Sequence, residues 1–268
     1  MTVKEFEPYA GFKYAERRFV PNAEDEKRLL GICGIDPMTF GGGLDPATFI
    51  TLAIEEQVRN GVPSSGAVNM VQWLEVRDLP KFDEEVTVTG GIVEVKEVPR
   101  GTTSEAEATY HGSDGRLCLR TGRVSLRTDP KKYADPKLRG AGKRPDPVIA
   151  DPEALEVIEH IQLTPDIVSA YSLKTTNPIH NDMDAANRAG YRAPIIGGAH
   201  GVRYLTAAIW RQFAPKHIRM DIRFRRPIHW DDAFDVRVEG AGEWSAICLS
   251  RDGKVLVEMA ISELVPGK

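Results

Sequence analysis

Two stretches of this 268-residue chain follow one pattern. Leu79-Pro80-Lys81-Phe82-Asp83-Glu84-Glu85 runs into Val86-Thr87-Val88-Thr89, and 147 residues after Pro80 the run Arg226-Pro227-Ile228-His229-Trp230-Asp231-Asp232 leads into Ala233-Phe234-Asp235-Val236. Both read as a bend followed by a strand, and a duplicated unit of this size constrains the fold more than any single motif does. Each copy then reaches an Asp-Gly pair between alternating segments, Asp114-Gly115 in the first and Asp252-Gly253 in the second, as tight hairpins prefer. The turns lie 138 residues apart rather than 147, because the second copy has nothing like the insert around Glu97-Val98-Pro99-Arg100-Gly101-Thr102. A loop or a strand extension is expected there.

One helical candidate precedes each strand set. In the first half it spans Asp45 to Val58, with Asp45 as cap, Pro46 at the first helical position, and Phe49, Leu52, Ala53 and Val58 near helical spacing. In the second half it starts near Gly198 and runs through Val202, Leu205, Ala208 and Ile209 to Trp210. From Ile218 the chain alternates Ile218, Met220, Ile222 and Phe224 against Arg219, Asp221, Arg223 and Arg225, the period of a strand with one wet face. Each half therefore reads as an α+β unit, a sheet packed around its preceding helix, and two such units side by side would join their sheets. The expected division is 1–128 and 148–268, with 129–147 as linker. That linker holds four prolines and basic residues around Gly140-Ala141-Gly142.

Charge excludes one class of partner. With 35 Lys and Arg against 39 Asp and Glu, the net charge is −4, so no basic surplus is present for binding nucleic acid. Three cysteines, Cys33, Cys118 and Cys248, are odd in number and never in C-x-x-C spacing, which fits a reducing cytoplasmic setting better than a disulfide framework or a zinc knuckle. No window approaches the roughly 18 unbroken apolar residues of a membrane span, and the N-terminal residues mix charged with apolar side chains. A soluble protein without membrane attachment or cleaved leader is expected.

The densest run of unusual residues lies between Thr164 and Gly201. Thr164-Pro165-Asp166 is a helix start, and that helix should end near Leu173. Lys174-Thr175-Thr176-Asn177-Pro178 makes a loop because Asn-Pro disfavours helix, and His180 follows on its exit. Asp182 or Asp184 can cap a short helix from Ala185 to Ala189, which Gly190 ends. Gly197-Gly198-Ala199-His200-Gly201 then enters the long helix. A glycine-rich helix entry leaves backbone N–H groups pointing outward with the positive dipole end behind them, which suits a developing oxyanion.

The run Asn177-Pro178-Ile179-His180-x-Asp182, followed by Gly190, Pro194-Ile195 and a glycine-led helix, resembles the MaoC-like (R)-specific enoyl-CoA hydratase and acyl dehydratase family. The segment from Arg223 to Asp232 is similar to that family's strand, proline and acidic turn. The resemblance implies an α+β double hot-dog fold whose first half shapes an acyl tunnel and whose second half carries the catalytic loop. It implies reversible addition of water to the double bond of a 2-enoyl thioester. In the family an aspartate and a histidine activate the water, and an N–H at the start of the central helix holds the thioester oxygen. His180 matches the family histidine and Asn177 its loop asparagine, while Thr175 stands where the family has its aspartate. Counting from Pro194 without gaps places Gly198 on the oxyanion glycine, whereas an insertion would place His200-Gly201 there. Thr175, Asn177, Gly197, His200 and Gly201 are then expected around the pocket.

Arg223 and Arg225, with Arg219 and Arg226, are candidates for the phosphates of a CoA carrier, because guanidinium forks match phosphate oxygens, although arginines on a wet strand face are commonplace. No metal is expected, since His180, Asp182 and Asp184 on a turn entering a helix would diverge. No cofactor beyond the CoA thioester substrate is expected. No G-x-S-x-G nucleophile setting appears. Three readings follow: the lyase; a hot-dog thioesterase or other acyl-CoA-directed enzyme; and a noncatalytic acyl-CoA-binding subunit. Two fused copies already form a pseudo-dimer, and a homodimer or a pairing with a related hot-dog chain is compatible with the sequence.

Overall fold

The computed structural model describes residues 5–64, 67–134, 137, 145–175 and 177–267. In chain order the elements are β1 (Arg17–Phe19), α1 (Ala23–Ile32), α2 (Thr48–Arg59), β2 (Ala67–Val76), β3 (Val86–Val98), β4 (Gly101–His111), β5 (Leu117–Thr128), α3 (Pro130–Ala134), β6 (Glu156–Gln162), α4 (Pro165–Tyr171), α5 (Met183–Arg188), α6 (Gly198–Phe213), β7 (His217–Phe224), β8 (Ala233–Glu239), β9 (Ala246–Arg251) and β10 (Lys254–Val265). All ten strands join one antiparallel sheet in the order β1-β3-β4-β5-β2-β7-β10-β9-β8-β6. That order is a palindrome of the repeat, with β3, β4, β5 and β2 on one side answering β8, β9, β10 and β7 on the other. The seam is the β2–β7 pair, where Gln72 faces Ile222 and Leu74 faces Met220.

The repeat extends to irregularities. β5 holds one extra residue, Cys118, against β4, and β10 holds one extra residue, Leu256, against β9. These bulges lie 138 residues apart, the same offset as the Asp-Gly turns, so β5 and β10 superpose residue for residue beyond them. The longer first copy is accounted for by strand extension: the β3–β4 ribbon continues to Val98 and Gly101, while β8 has seven residues and β9 six. The stretch 129–147, expected as a linker, holds the short helix α3, and its residues 135, 136 and 138–144 lie outside the described residues.

The sheet wraps the two long helices. Val202, Leu205 and Ile209 of α6 are fully buried, as are Ile218, Met220 and Ile222 of β7, while Arg219, Asp221 and Arg223 face outward and are half-buried. Full burial of each such aliphatic side chain is worth about 1.5–3 kcal/mol against exposure, which is what holds the helix against the strand face. The first-half helix begins at Thr48, two residues later than its capping pattern predicts. Asp45 does accept from the Ala47 N–H at 2.9 Å, but its other oxygen is drawn 2.8 Å from Arg203 Nη1 of α6. Glu26 of α1 meets the same guanidinium at 3.0 and 2.9 Å, and Thr206 donates to Asp45 at 2.8 Å. Arg203 is 1% exposed, so this cluster is a buried polar clasp between the halves.

All three cysteines are free thiols. Among the described residues no helix is long and apolar enough to cross a membrane.

Candidate active site

The segment before α6 folds as its local chemistry dictates. Thr164 caps α4 by accepting from the Ile167 N–H at 3.3 Å, with Pro165 at the first helical position. Asp182, not Asp184, caps α5: its Oδ1 accepts from the Ala185 N–H at 2.6 Å. Between them Pro178–His180 form one 3-10 turn, stapled by the Asn177 side chain, whose Oδ1 accepts from the Ile179 N–H at 3.4 Å. This turn is laid against the strand-like segment that enters α6, because the Ile195 N–H donates to the Ile179 carbonyl at 3.1 Å.

That contact sets the histidine. His180 Nδ1 lies 2.7 Å from the Ile195 carbonyl oxygen, and only a protonated Nδ1 can donate to a carbonyl. The neutral ring therefore carries its lone pair on Nε2. Burial pushes the His180 pKa below the usual 6.5, with the Ile195 carbonyl opposing in part, so the ring is held in the basic form. A Cβ added at Gly197 would stand 3.9 Å from His180 Cε1, which places the imidazole edge beside the entrance to α6. Gly197 is the N-cap and has no side chain to satisfy the first-turn amides. Among the described residues no acceptor meets the N–H of Gly198 or Ala199.

At Gly198 the glycine is required by space. A Cβ there would meet Phe224 Cε1 at 2.9 Å and Cζ at 3.0 Å, so the aromatic ring from the end of β7 packs against the side of Gly198 where a side chain would stand. Gly201 is the fourth residue of α6, so the bare amides at the helix entrance are those of Gly198 and Ala199.

The structure thus brings His180, Gly197 and Gly198 together and sets other candidates apart. Thr175 and Asn177 are exposed on the loop, and the Thr175 hydroxyl accepts from the Asn177 N–H at 3.4 Å. His200 is turned into the core: it is 0% exposed, stacks on Tyr171 with ring centroids 3.9 Å apart, and burial beside Arg203 pushes its pKa down to about 3. Such a ring stays neutral and is sealed from solvent, although His180 is near enough to act on its charge. Arg223 and Arg225 fall on the opposite face of the strand from Phe224, as strand alternation demands. Arg223 donates to the Asp146 carbonyl, and Arg225 to the Pro145 and Asp146 carbonyls at 2.6 and 2.7 Å while pairing with buried Glu258. These guanidiniums hold the end of the expected linker, a role the alternation pattern does not reveal. Arg226 donates to the Val255 carbonyl, and Arg219 pairs with Asp221 over the Trp73 ring.

No carboxylate among the described residues hydrogen-bonds His180. Asp182 is spent on its cap, and Asp184 sits in the exposed first turn of α5. The elements sequence reasoning misses are the Ile195 carbonyl, which as backbone leaves no residue-type signal, and Phe224, which reads only as one more apolar residue of an alternating strand.

No family model matches the chain, and no curated protein matches it by sequence. Solved structures do match by shape. HtdX from Mycobacterium tuberculosis superposes with a TM-score of 0.70 at 17% identity, over 93% of this chain and 98% of that one. A MaoC-like dehydratase from Phytophthora capsici gives 0.68 at 17% identity, over 94% and 96%. A 12:0-ACP thioesterase from Umbellularia californica gives 0.56 at 12% identity, over 97% and 100%. At these identities the likeness establishes architecture: the chain has the α+β hot-dog fold, here doubled within one sheet.

Proposed function

We propose that the protein is a hydro-lyase of the MaoC-like type, adding water reversibly to a 2-enoyl thioester, with CoA as the carrier. The observation that carries this reading is the tautomer of His180: its Nδ1 proton is committed to the Ile195 carbonyl, so Nε2 is a basic atom beside unpaired helix-entrance amides. Such a pair supplies what the reaction needs. Nε2 takes a proton from water as the water oxygen bonds to the β-carbon. The enolate charge that develops on the thioester oxygen is met by the Gly198 and Ala199 N–H groups. The imidazolium then returns its proton to the α-carbon, leaving the 3-hydroxyacyl thioester with every atom accounted for. Dehydration is the same path reversed.

Loss of the conjugated enoyl-CoA absorbance on adding protein, abolished by His180→Ala, tests this reading. Absence of turnover on short, branched and long enoyl-CoAs would overturn it.

That no carboxylate among the described residues hydrogen-bonds His180 favours one second reading, thioester hydrolysis, in which the activated water attacks the carbonyl carbon and the thiol leaves. Release of free thiol from saturated acyl-CoAs distinguishes the two. A chain that binds acyl-CoA and does neither would be a noncatalytic subunit.

A further inference from the structure

The inner face of the first-half sheet contains a cationic group that the fold itself does not call for. Arg123 of β5 points into the molecule toward α2, is 4% exposed, and donates from Nη1 to Gln57 Oε1 at 2.9 Å. Its Nε is buried with no hydrogen-bond partner, and among the described residues no carboxylate pairs with it. The Tyr14 hydroxyl, from the N-terminal segment, is likewise buried and unpartnered. Arg123 and Tyr14 line one gap between α2 and the sheet, together with Gln57, Thr121, Ala53 and Ala106.

The duplication shows what this place holds when only packing matters. At the 138-residue offset set by the two bulges, Thr121 and Arg123 correspond to Met259 and Ile261 of β10, both buried apolar side chains. The second half thus builds the same inner face from hydrocarbon. In the first half a desolvated guanidinium stands there, and burial pushes its pKa down to about 10. Leaving a charged donor buried and unpaired costs folding free energy, so a residue of this kind in a position that accepts isoleucine is one whose partner is to be supplied.

The gap lies on the same inner face as Phe224, with the fully buried Ile222 and Gln72 between them. Phe224, against Gly198, stands two residues along β7 from Ile222. Ile222 pairs with Gln72, and Gln72 pairs with Arg123. Two strand spacings and one two-residue step separate Phe224 from Arg123, about 12 Å along the inner face. This is within reach of a medium-length acyl chain whose thioester oxygen lies at the Gly198 amide.

We propose that the protein takes acyl thioesters whose far end carries a carboxylate, and that Arg123, assisted by Tyr14, receives that carboxylate in the gap against α2. The proposal rests on the lyase reading for the position of the thioester. In the unliganded chain the gap is closed to a water molecule, so the incoming carboxylate opens it by parting α2 from the sheet and displacing the Gln57 amide, a flexible side chain, from the guanidinium.

The test compares medium-chain 2-enoyl-CoAs ending in a methyl group with those ending in a carboxylate. The carboxylate-ended substrate is expected to be hydrated with a kcat/KM about 10- to 100-fold higher, the range of a charge-assisted hydrogen bond. Arg123→Met should bring the two substrates level, and Tyr14→Phe, which removes one hydroxyl, should move the ratio part of the way. Equal or better hydration of the methyl-ended substrate by the unaltered protein overturns the inference and leaves the lyase reading standing. If neither substrate turns over, the lyase reading falls, and thermal shifts with the two saturated acyl-CoAs decide the inference alone. A larger shift for the carboxylate-ended ligand that disappears in Arg123→Met upholds it, and equal shifts or none overturn it.

Discussion

Arg203 Nη1 lies 2.8 Å from Asp45 Oδ2, and this contact joins the central helix of the second half to the entrance of α2 in the first. One guanidinium there faces two carboxylates, Asp45 and Glu26, with Thr48, Thr206 and Tyr171 supplying hydroxyls. Removing one member of a buried charged cluster leaves the others uncompensated, so Arg203→Met should lower unfolding free energy by about 3–5 kcal/mol in urea titrations. A loss below about 1 kcal/mol would mean that the clasp contributes nothing to stability.

The same cluster gives stability a pH dependence. Burial, aided by Glu26 and opposed by Arg203, raises the Asp45 pKa from the usual 3.8 to about 6. A carboxyl whose folded pKa exceeds its unfolded one favours the folded state most when protonated, so its contribution is lost as pH rises from about 4 through about 6. Asp45→Asn should flatten that part of the stability profile. Urea midpoints between pH 4 and pH 7 that keep the same slope in the variant would show that another group titrates.

His180→Ala should lower the hydration kcat by about 10²–10⁴-fold while thermal stability changes little. Because the imidazole must be neutral to act as base and burial depresses its pKa, the acid limb of kcat/KM should lie below pH 6.5. A limb above that value would place a different group in the role of base.

Gly198→Ala pushes a methyl into the Phe224 ring and should cost about 1–3 kcal/mol. The cost should shrink sharply in a Phe224→Ala background, which a double-mutant cycle in thermal stability reads directly. Additive effects would separate the ring from the helix entrance.

Thr175 is exposed and makes one weak hydrogen bond, so Thr175→Asp should leave stability within about 0.5 kcal/mol. If the loop carries the rest of a hydratase, the added carboxylate should raise the hydration rate by about tenfold or more and move the acid limb upward, since an anion near His180 favours its protonated form. An unchanged rate with an unchanged pH profile would show that position 175 does not face the imidazole.

Much of this architecture is legible in the residues because duplicated units repeat their punctuation. Pro80 and Pro227, the two Asp-Gly turns and the alternation from Ile218 each announce a local event, and such events survive without knowledge of the fold. The helix from Gly198 is equally local. What is not legible arises from contacts across long sequence separations. Asp45 looks like a helix cap because nothing near it in sequence reveals Arg203, 158 residues away. Arg223 and Arg225 look like phosphate ligands because their true acceptors are carbonyls at the end of the expected linker. His200 looks like part of a His-Gly step until packing shows it stacked on Tyr171. Arg123, on a strand whose burial only the assembled sheet defines, carries no sequence signal at all.

The palindromic sheet offers two helix entrances in mirrored positions, and they have opposite fates. At α2 the Asp45 carboxylate occupies its own entrance and the Glu26 carboxylate holds the Asp45 amide, so that end is permanently corked. At α6 glycine leaves the entrance bare. A chain built from two like halves should therefore titrate with a single equivalent of acyl thioester, its other vestibule serving as a rivet.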